Sequence, residues 1–99
     1  MSICNPLRLE NITMISVTKL TVPTPVNIGV DVTATATVKN IGTVSFSDTV
    51  TFYVGTTTIC IKGTSYLSVG ATENIDCVFN TSGWASGDYS VCVKTASEG

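Results

Sequence analysis

Apolar and polar residues alternate with a period of two along much of this chain, and no helical period competes with that alternation. The clearest segment runs from Val30 to Lys39, where Val or Ala takes every second position and polar residues take the positions between. This alternation predicts a β-strand with one buried face and one face in water. The small residues Ala34 and Ala36 on its apolar face predict that a bulky side chain, Trp84 or Phe52, packs against them.

Further strands are predicted by the same pattern over Ile12–Lys19, Thr49–Val54, Thr57–Lys62, Ala71–Phe79 and Asp88–Thr95. In the first of these the parity of the apolar positions changes between Met14 and Ile15, which predicts a β-bulge or a change of sheet. In the last, Tyr89, Val91 and Val93 are predicted to point inward. Turn residues separate the segments, so we expect one domain over residues 1–99 with an all-β fold. Its expected architecture is an antiparallel Ig-like or fibronectin-III-like β-sandwich of six to seven strands.

Two shorter features complete the strand pattern. Gly55 and Thr56 predict a hairpin turn, and the prolines of Leu20–Pro25 place that segment at a sheet edge or in a crossover. Tyr66, Leu67 and Val69 are expected to plug the core from a connection between strands.

Composition narrows the range of functions. Charged residues make up 12 % of the chain, the net charge is −2 and there is no His. Five dispersed Lys and Arg residues argue against a nucleic-acid partner, and the lack of His or paired carboxylates argues against an enzyme, a metal site or a cofactor. No apolar stretch is long enough to span a membrane, and no signal peptide is visible. Seventeen Thr and ten Ser on a weakly charged chain are typical of extracellular and cell-surface proteins, and weak repulsion favours self-association.

Four motifs in order along residues 14–95 resemble the CARDB family of cell-adhesion-related, Ig-like modules from bacterial and archaeal surface proteins. The segment VKNIGT at 38–43 is similar to the V-x-N-x-G end of that family's second strand. FYVG at 52–55 resembles its third strand and hairpin, and LSVGAT at 67–72 resembles its L-x-x-G-x-T connection. Trp84 followed by GDYSV at 87–91 is similar to its closing W…G-x-Y-x-V motif.

The resemblance implies core and turn roles for five residues. Asn40 and Gly42 suit positive φ values that end a strand sharply, and Gly70 does the same before the fifth strand. Simple core packing is expected for Trp84 and Tyr89, and a Tyr89 hydroxyl bonded to loop backbone, as in a tyrosine corner, is the alternative.

The chain departs from the family at its end, because CARDB domains carry another strand after the Tyr strand. Here the sequence stops at Gly99. Three explanations stay open: the chain is truncated, Ser2–Glu10 fills the gap, or the sheet edge is open to another copy.

Four cysteines, Cys4, Cys60, Cys77 and Cys92, lack the close spacing of a zinc or redox site. Their even number and the secreted-like composition favour two disulfides. Of three possible pairings we favour Cys60–Cys77 with Cys4–Cys92, the second tying the N-terminus to the last strand. Four buried thiols are the alternative.

Two sequons, Asn11-Ile12-Thr13 and Asn80-Thr81-Ser82, are candidate glycosylation sites, and Asn80 is the better one because a loop is expected there.

These features lead to three hypotheses, none of them catalytic. The first is an extracellular Ig-like module of a cell-surface protein with the adhesive or spacer role that the CARDB resemblance implies. The second is a structural subunit of an extracellular filament that assembles with copies of itself by β-strand addition at an open sheet edge. The third is a carbohydrate-binding accessory domain, with surface glycans as partners and a stacking platform of Trp84, Tyr53 and Tyr66.

Overall fold

A computed structural model describes residues 2–98, and within that range the protein is all-β. Its strands are β1 (Ile15–Thr21), β2 (Asp31–Asn40), β3 (Thr49–Val54), β4 (Thr57–Gly63), β5 (Thr72–Asn80) and β6 (Val91–Thr95). They form two three-stranded sheets, ordered β1-β2-β5 and β4-β3-β6. Every pairing within the sheets is antiparallel. The predicted all-β class is therefore confirmed.

The strand β2 lies at the centre of the first sheet and supplies much of the core. It begins one residue later than predicted, so that Val30 lies outside it and is 39 % exposed. The Val and Ala residues of its apolar face, Val32, Ala34, Ala36 and Val38, are buried as expected. On the opposite face, the Thr35 and Thr37 hydroxyls donate hydrogen bonds to side chains of β5 at 2.7 and 2.8 Å.

The second sheet meets this apolar face through β3, whose bounds match the prediction. Phe52 is fully buried and shares a core cluster with Ala34 and Ala36. Of the two bulky side chains expected against those alanines, Phe52 is therefore the one that fills the space. The hairpin to β4 turns at Gly55, whose φ of 59° is unstrained only for glycine.

The two lateral sides of the sandwich are closed differently. On one side the disulfide Cys60–Cys77 joins β4 to β5. On the other side the end of β6 is tied to the start of β1, because the Thr95 hydroxyl donates to the Ile15 carbonyl at 2.6 Å. The Ile15 amide donates to the Ser97 hydroxyl at 3.0 Å, which strengthens the same end.

Several local expectations are wrong. The pairing of β1 with β2 is irregular between Val17 and Lys19, not at Met14, because Met14 precedes the strand. The last strand begins at Val91, so Tyr89 lies outside it and is 49 % exposed instead of pointing inward. Of the three expected plugs only Leu67 is buried, since two neighbours, Tyr66 and Val69, are 74 % and 54 % exposed.

Asn40 and Gly42 end β2 by a different mechanism from the positive φ that was expected. Among the described residues no position other than glycine has a positive φ, and Gly42 has none either. The Asn40 side chain is fully buried, donates to the carbonyls of Val44 and Leu67, and accepts from the Gly42 amide, all at 2.9 Å. A Cβ at Gly42 would lie 2.2 Å from the Ile12 carbonyl oxygen, so this glycine is needed for close approach. Gly70, with a φ of 82°, behaves as predicted.

A candidate assembly interface at the β6 edge

The segment Ser2–Glu10, hereafter the arm, extends away from the sandwich. Every residue of the arm is exposed and lies outside the strands. Its root is held by backbone hydrogen bonds, from Thr43 to the Ile12 carbonyl at 2.9 Å and from Ile41 to the Met14 carbonyl at 3.0 Å. The arm does not fill the sheet edge of its own chain. The structure therefore does not adopt the explanation in which Ser2–Glu10 takes the place of the expected strand.

The arm has one apolar and one polar face. Leu7 and Leu9 are 83 % and 84 % exposed and share their face with Ile3, while Asn5 is its polar exception. On the other face, the Arg8 guanidinium pairs with the Glu10 carboxylate at 2.6 Å, as residues two apart do on an extended chain. The arm pairs with no strand among residues 2–98. Apolar side chains that are this exposed on such a segment mark an interaction surface.

Among residues 2–98 no strand pairs with β6 on the side away from β3, so its backbone edge is open there. The Gly55 amide donates to the Ser90 carbonyl, and the Ala96 amide donates to the Thr49 carbonyl. Because hydrogen-bonding direction alternates along an antiparallel strand, the amide and carbonyl groups of Val91 and Val93 point away from β3. This row of donors and acceptors can pair with an added strand.

A cavity of about 450 Å³ opens where β1 ends and β6 begins. Its lining includes Val22, Pro25, Phe79, Trp84, Tyr89 and Val91. The cavity lies at the end of the β1/β6 side opposite to the Thr95–Ile15 hydrogen bond, so the seam between the sheets is tied at one end and open at the other. An apolar cavity beside an unpaired strand edge is suited to receive apolar side chains.

Aromatic side chains stiffen the rim of this cavity. The Trp84 ring stacks on Phe79 with centroids 5.8 Å apart and lies 5.0 Å from the Tyr89 ring. The Tyr89 hydroxyl donates to the Ala85 carbonyl at 2.8 Å, so the structure shows the alternative, a hydrogen bond to loop backbone, and not the favoured core packing of this residue. The rim side chains therefore contact one another within the single chain.

The cysteines divide into a bridged pair and an unbridged pair. Cys60 and Cys77 form the predicted disulfide, with Cα atoms 6.0 Å apart. The predicted Cys4–Cys92 bridge is wrong for the single chain, because Cys4 lies on the exposed arm while Cys92 is half-buried on β6. Cys92 faces the outer surface of its sheet beside its cross-strand neighbour Tyr53, over whose ring Lys94 Nζ lies at 5.9 Å.

Both sequon asparagines are exposed, but in different settings. Asn80 is the last residue of β5 instead of a loop residue. Its amide nitrogen donates to the Asp31 carboxylate at 2.8 Å, and its oxygen accepts from the Ser82 amide at 2.8 Å. Asn11 lies at the base of the arm, outside the strands. Glycosylation at either position stays a prediction.

The three aromatic residues of the expected sugar platform do not share a cavity. Trp84 lines the cavity described above, whereas Tyr53 lines a shallow pocket on the outer face of the second sheet with Ile61 and Lys94. Tyr66 lines neither of them.

Within residues 2–98 no cluster of three or more His, Cys, Asp or Glu side chains could hold a metal ion, and no helix is long and apolar enough to cross a membrane. Sequence reasoning singled out the arm and the missing strand. It missed the cavity rim, since the prolines and valines of Val22–Val26 carry no signal that places them beside Trp84.

No family model matches the chain, and no curated protein or solved structure matches it significantly.

Proposed function

We propose that this chain is a non-catalytic, extracellular structural subunit in which the arm of one copy adds as a strand to the β6 edge of the next. One observation carries the proposal. The same chain has both an exposed arm with two different faces and an open strand edge beside an apolar cavity. Repetition of the same contact in one direction builds a filament, because each subunit keeps its own arm and edge for different neighbours.

The edge of β6 is a better acceptor than the edges of β4 and β5. The disulfide Cys60–Cys77 holds those two strands together on their side of the sandwich. In the Ig-like arrangement that we propose, a further strand lies beside the Tyr strand, and among residues 2–98 the sheet β4-β3-β6 has none at that position. A donated arm occupies the place of that strand.

The buried apolar area favours the complex. Burial of Leu7 and Leu9 contributes about 2 kcal/mol each. Backbone hydrogen bonds to β6 add to this and set the direction of the arm.

An extracellular or cell-surface setting is supported by the disulfide, since structural disulfides form and persist in oxidising compartments. A weakly charged surface, with 12 % charged residues and a net charge of −2, opposes association of copies only weakly. The adhesive or spacer role of CARDB-like modules is compatible with the same setting. That role assigns no function to the exposed arm, however, and we therefore place it second.

Substitution of the two faces of the arm tests the proposal. Leu7→Ser with Leu9→Ser removes the apolar face, whereas Arg8→Ser with Glu10→Ser changes the polar face, and neither pair alters the net charge. We expect the first pair to weaken assembly by roughly a thousandfold, the equivalent of about 4 kcal/mol, and the second pair to leave it nearly unchanged. Light scattering under reducing conditions, over a concentration series, measures the mass of the particles.

A mass near 10.4 kDa for the unmodified chain at every concentration would overturn the proposal. That result would favour a self-contained adhesive or spacer module. Equal effects of the two double substitutions would show that assembly does not use the apolar face of the arm.

A further inference from the structure

We infer that the two unbridged cysteines form a disulfide between subunits, joining Cys4 on the arm of one copy to Cys92 on the β6 edge of the next. The inference rests on the proposed strand addition. It specifies the register and the direction of the added arm, and the covalent bond that fixes the arm to β6. A chain that already carries one disulfide and keeps two further thiols apart, one of them exposed, is suited to pairing between molecules.

The side-chain parity of both strands agrees with this pairing. Val91 and Val93 pack against the core, so Cys92 between them faces the outer surface of the sheet. When Leu7 turns toward the core, Cys4 also faces the outer surface, because an odd number of positions separates the two. Both thiols then lie on the same face of the extended sheet.

The direction of the backbone hydrogen-bonding groups along β6 independently agrees with a Cys4–Cys92 pair. Ser90 and Ala96 bond toward β3, and so does Cys92, which lies an even number of positions from each. Toward an added strand Cys92 is therefore a non-hydrogen-bonded position. Directly opposed residues at such positions have Cα atoms about 4.5 Å apart, at the short end of the range that a disulfide spans.

Pro6 fits the same register. With Cys4 opposite Cys92 on an antiparallel arm, Pro6 lies opposite Ser90, which is also a non-hydrogen-bonded position. The missing amide hydrogen of Pro6 then faces away from β6, where proline is tolerated in an edge strand.

The antiparallel direction also places the leucines where the structure is open. With Cys4 opposite Cys92, Leu7 lies beside Tyr89 on the cavity rim. A parallel arm in the same register would bring Leu7 to Thr95, where the hydrogen bond to Ile15 already closes the seam.

The direction distinguishes a neighbour's arm from the chain's own arm. Ile15 lies beside Thr95, so an arm folded back along its own β6 would have to run parallel to that strand. An antiparallel arm comes from another copy.

The bond forms by two thiol–disulfide exchanges with a small-molecule disulfide such as glutathione disulfide. The Cys4 thiolate attacks one sulfur of the oxidant and releases one small thiolate. The Cys92 thiolate of the acceptor then attacks the Cys4 sulfur and releases the second. Two protein thiols are oxidised to one disulfide, and the oxidant is reduced to two small thiols.

An isotope-mixing experiment tests the inference on the full chain. Equal amounts of ¹⁴N-labelled and ¹⁵N-labelled chains are mixed, assembled under reducing conditions, and then oxidised with glutathione disulfide. Cleavage after Arg8 and Lys94 and before Asp88 isolates the Cys4 and Cys92 peptides from the Cys60–Cys77 pair. Mass spectrometry of the non-reduced digest identifies the linked peptides.

We expect linked Cys4–Cys92 peptides in which mixed-label pairs are as abundant as the two same-label pairs together. We also expect a covalent ladder on non-reducing gels that disappears in Cys4→Ser and in Cys92→Ser, while both variants assemble in light scattering. The reciprocal loss in both single variants is the signature of one heterologous bond.

Three outcomes would overturn the inference. Same-label pairs alone would place the bond within one chain. Linked Cys4–Cys4 or Cys92–Cys92 peptides would show a symmetric contact. Assemblies whose thiols remain reactive with iodoacetamide after oxidation would show strand addition without a disulfide between subunits. A reduced chain that stays monomeric would instead overturn the proposed function itself, so the two failures are distinguishable.

Discussion

At the scale of single residues, Asn40 organises one end of the molecule. Its buried amide group bonds two loop segments, one at Gly42 and Val44 and the other at Leu67. Its backbone joins the same network, since the Asn40 amide donates to the Ala71 carbonyl and the Asn40 carbonyl accepts from the Gly70 amide. The loop at Gly42 in turn holds the root of the arm, so this residue links the core to the proposed interface.

Asn40→Asp is expected to destabilise the protein by about 3 kcal/mol or more. The carboxylate keeps the acceptor for the Gly42 amide but loses both donor hydrogen bonds and buries a charge against two carbonyl oxygens. Asn74→Asp is the matched control, because Asn74 is exposed and only its oxygen accepts, from Thr37. Urea unfolding measures both, and equal losses would contradict the role assigned to Asn40.

At the scale of strands, edges and their closures decide the architecture. The β4/β5 side is joined covalently, and the β1/β6 side depends on hydrogen bonds at Ile15, Thr95 and Ser97. The short strand β6 is therefore left with an available edge beside the open end of the seam. The difference between the two sides explains why strand addition is proposed at only one of them.

Removal of the Cys60–Cys77 disulfide by two alanine substitutions is expected to cost about 3 kcal/mol, because the bridge closes a loop of 17 residues in the unfolded chain. The measurement is urea unfolding at a concentration where the chain is monomeric. Cys4→Ser serves as control, and we expect no change there because Cys4 lies exposed on the arm. A loss near zero for the double alanine variant would show that the bridge does not stabilise the sandwich.

At the scale of the whole molecule, the arm dominates the shape. The radius of gyration is 18.2 Å and the extents are 73 × 24 × 18 Å. A compact domain of this length has a radius of gyration of about 13 Å. The excess reflects a segment that contributes apolar surface to the outside and little to the core.

Deletion of Ser2–Glu10 is expected to change the free energy of unfolding by less than about 0.5 kcal/mol, since the exposed arm packs against no part of the sandwich. X-ray scattering of the dilute monomer should show the radius of gyration falling toward about 13 Å. A large loss of stability on deletion would instead mean that the arm completes its own sheet in solution.

Much of this fold follows from the sequence for a local reason. Side-chain direction alternates along a strand, so the pattern of Val and Ala in β2 and the bounds of β3 could be predicted without tertiary information. The pairing of Cys60 with Cys77 was the favoured one of three, and the hydrogen bond of Tyr89 to loop backbone was the alternative to core packing. The CARDB resemblance and the Ig-like connections stay predictions.

The expectations that failed depend on long-range contacts. Nothing local distinguishes buried Leu67 from exposed Tyr66, or shows that Gly42 is needed because Ile12 passes close to it. The Cys4–Cys92 pairing also failed for the single chain, since the arm does not return to β6.

The sequence by itself determined the all-β class, the core face of β2 and the alternation of the arm, because each is a matter of residue type and spacing along one strand or turn. Only the tertiary structure decided which sheet edge is open, where the cavity lies and which thiols remain unpaired. Those properties depend on how strands distant in sequence are placed in space, and no local pattern encodes that placement.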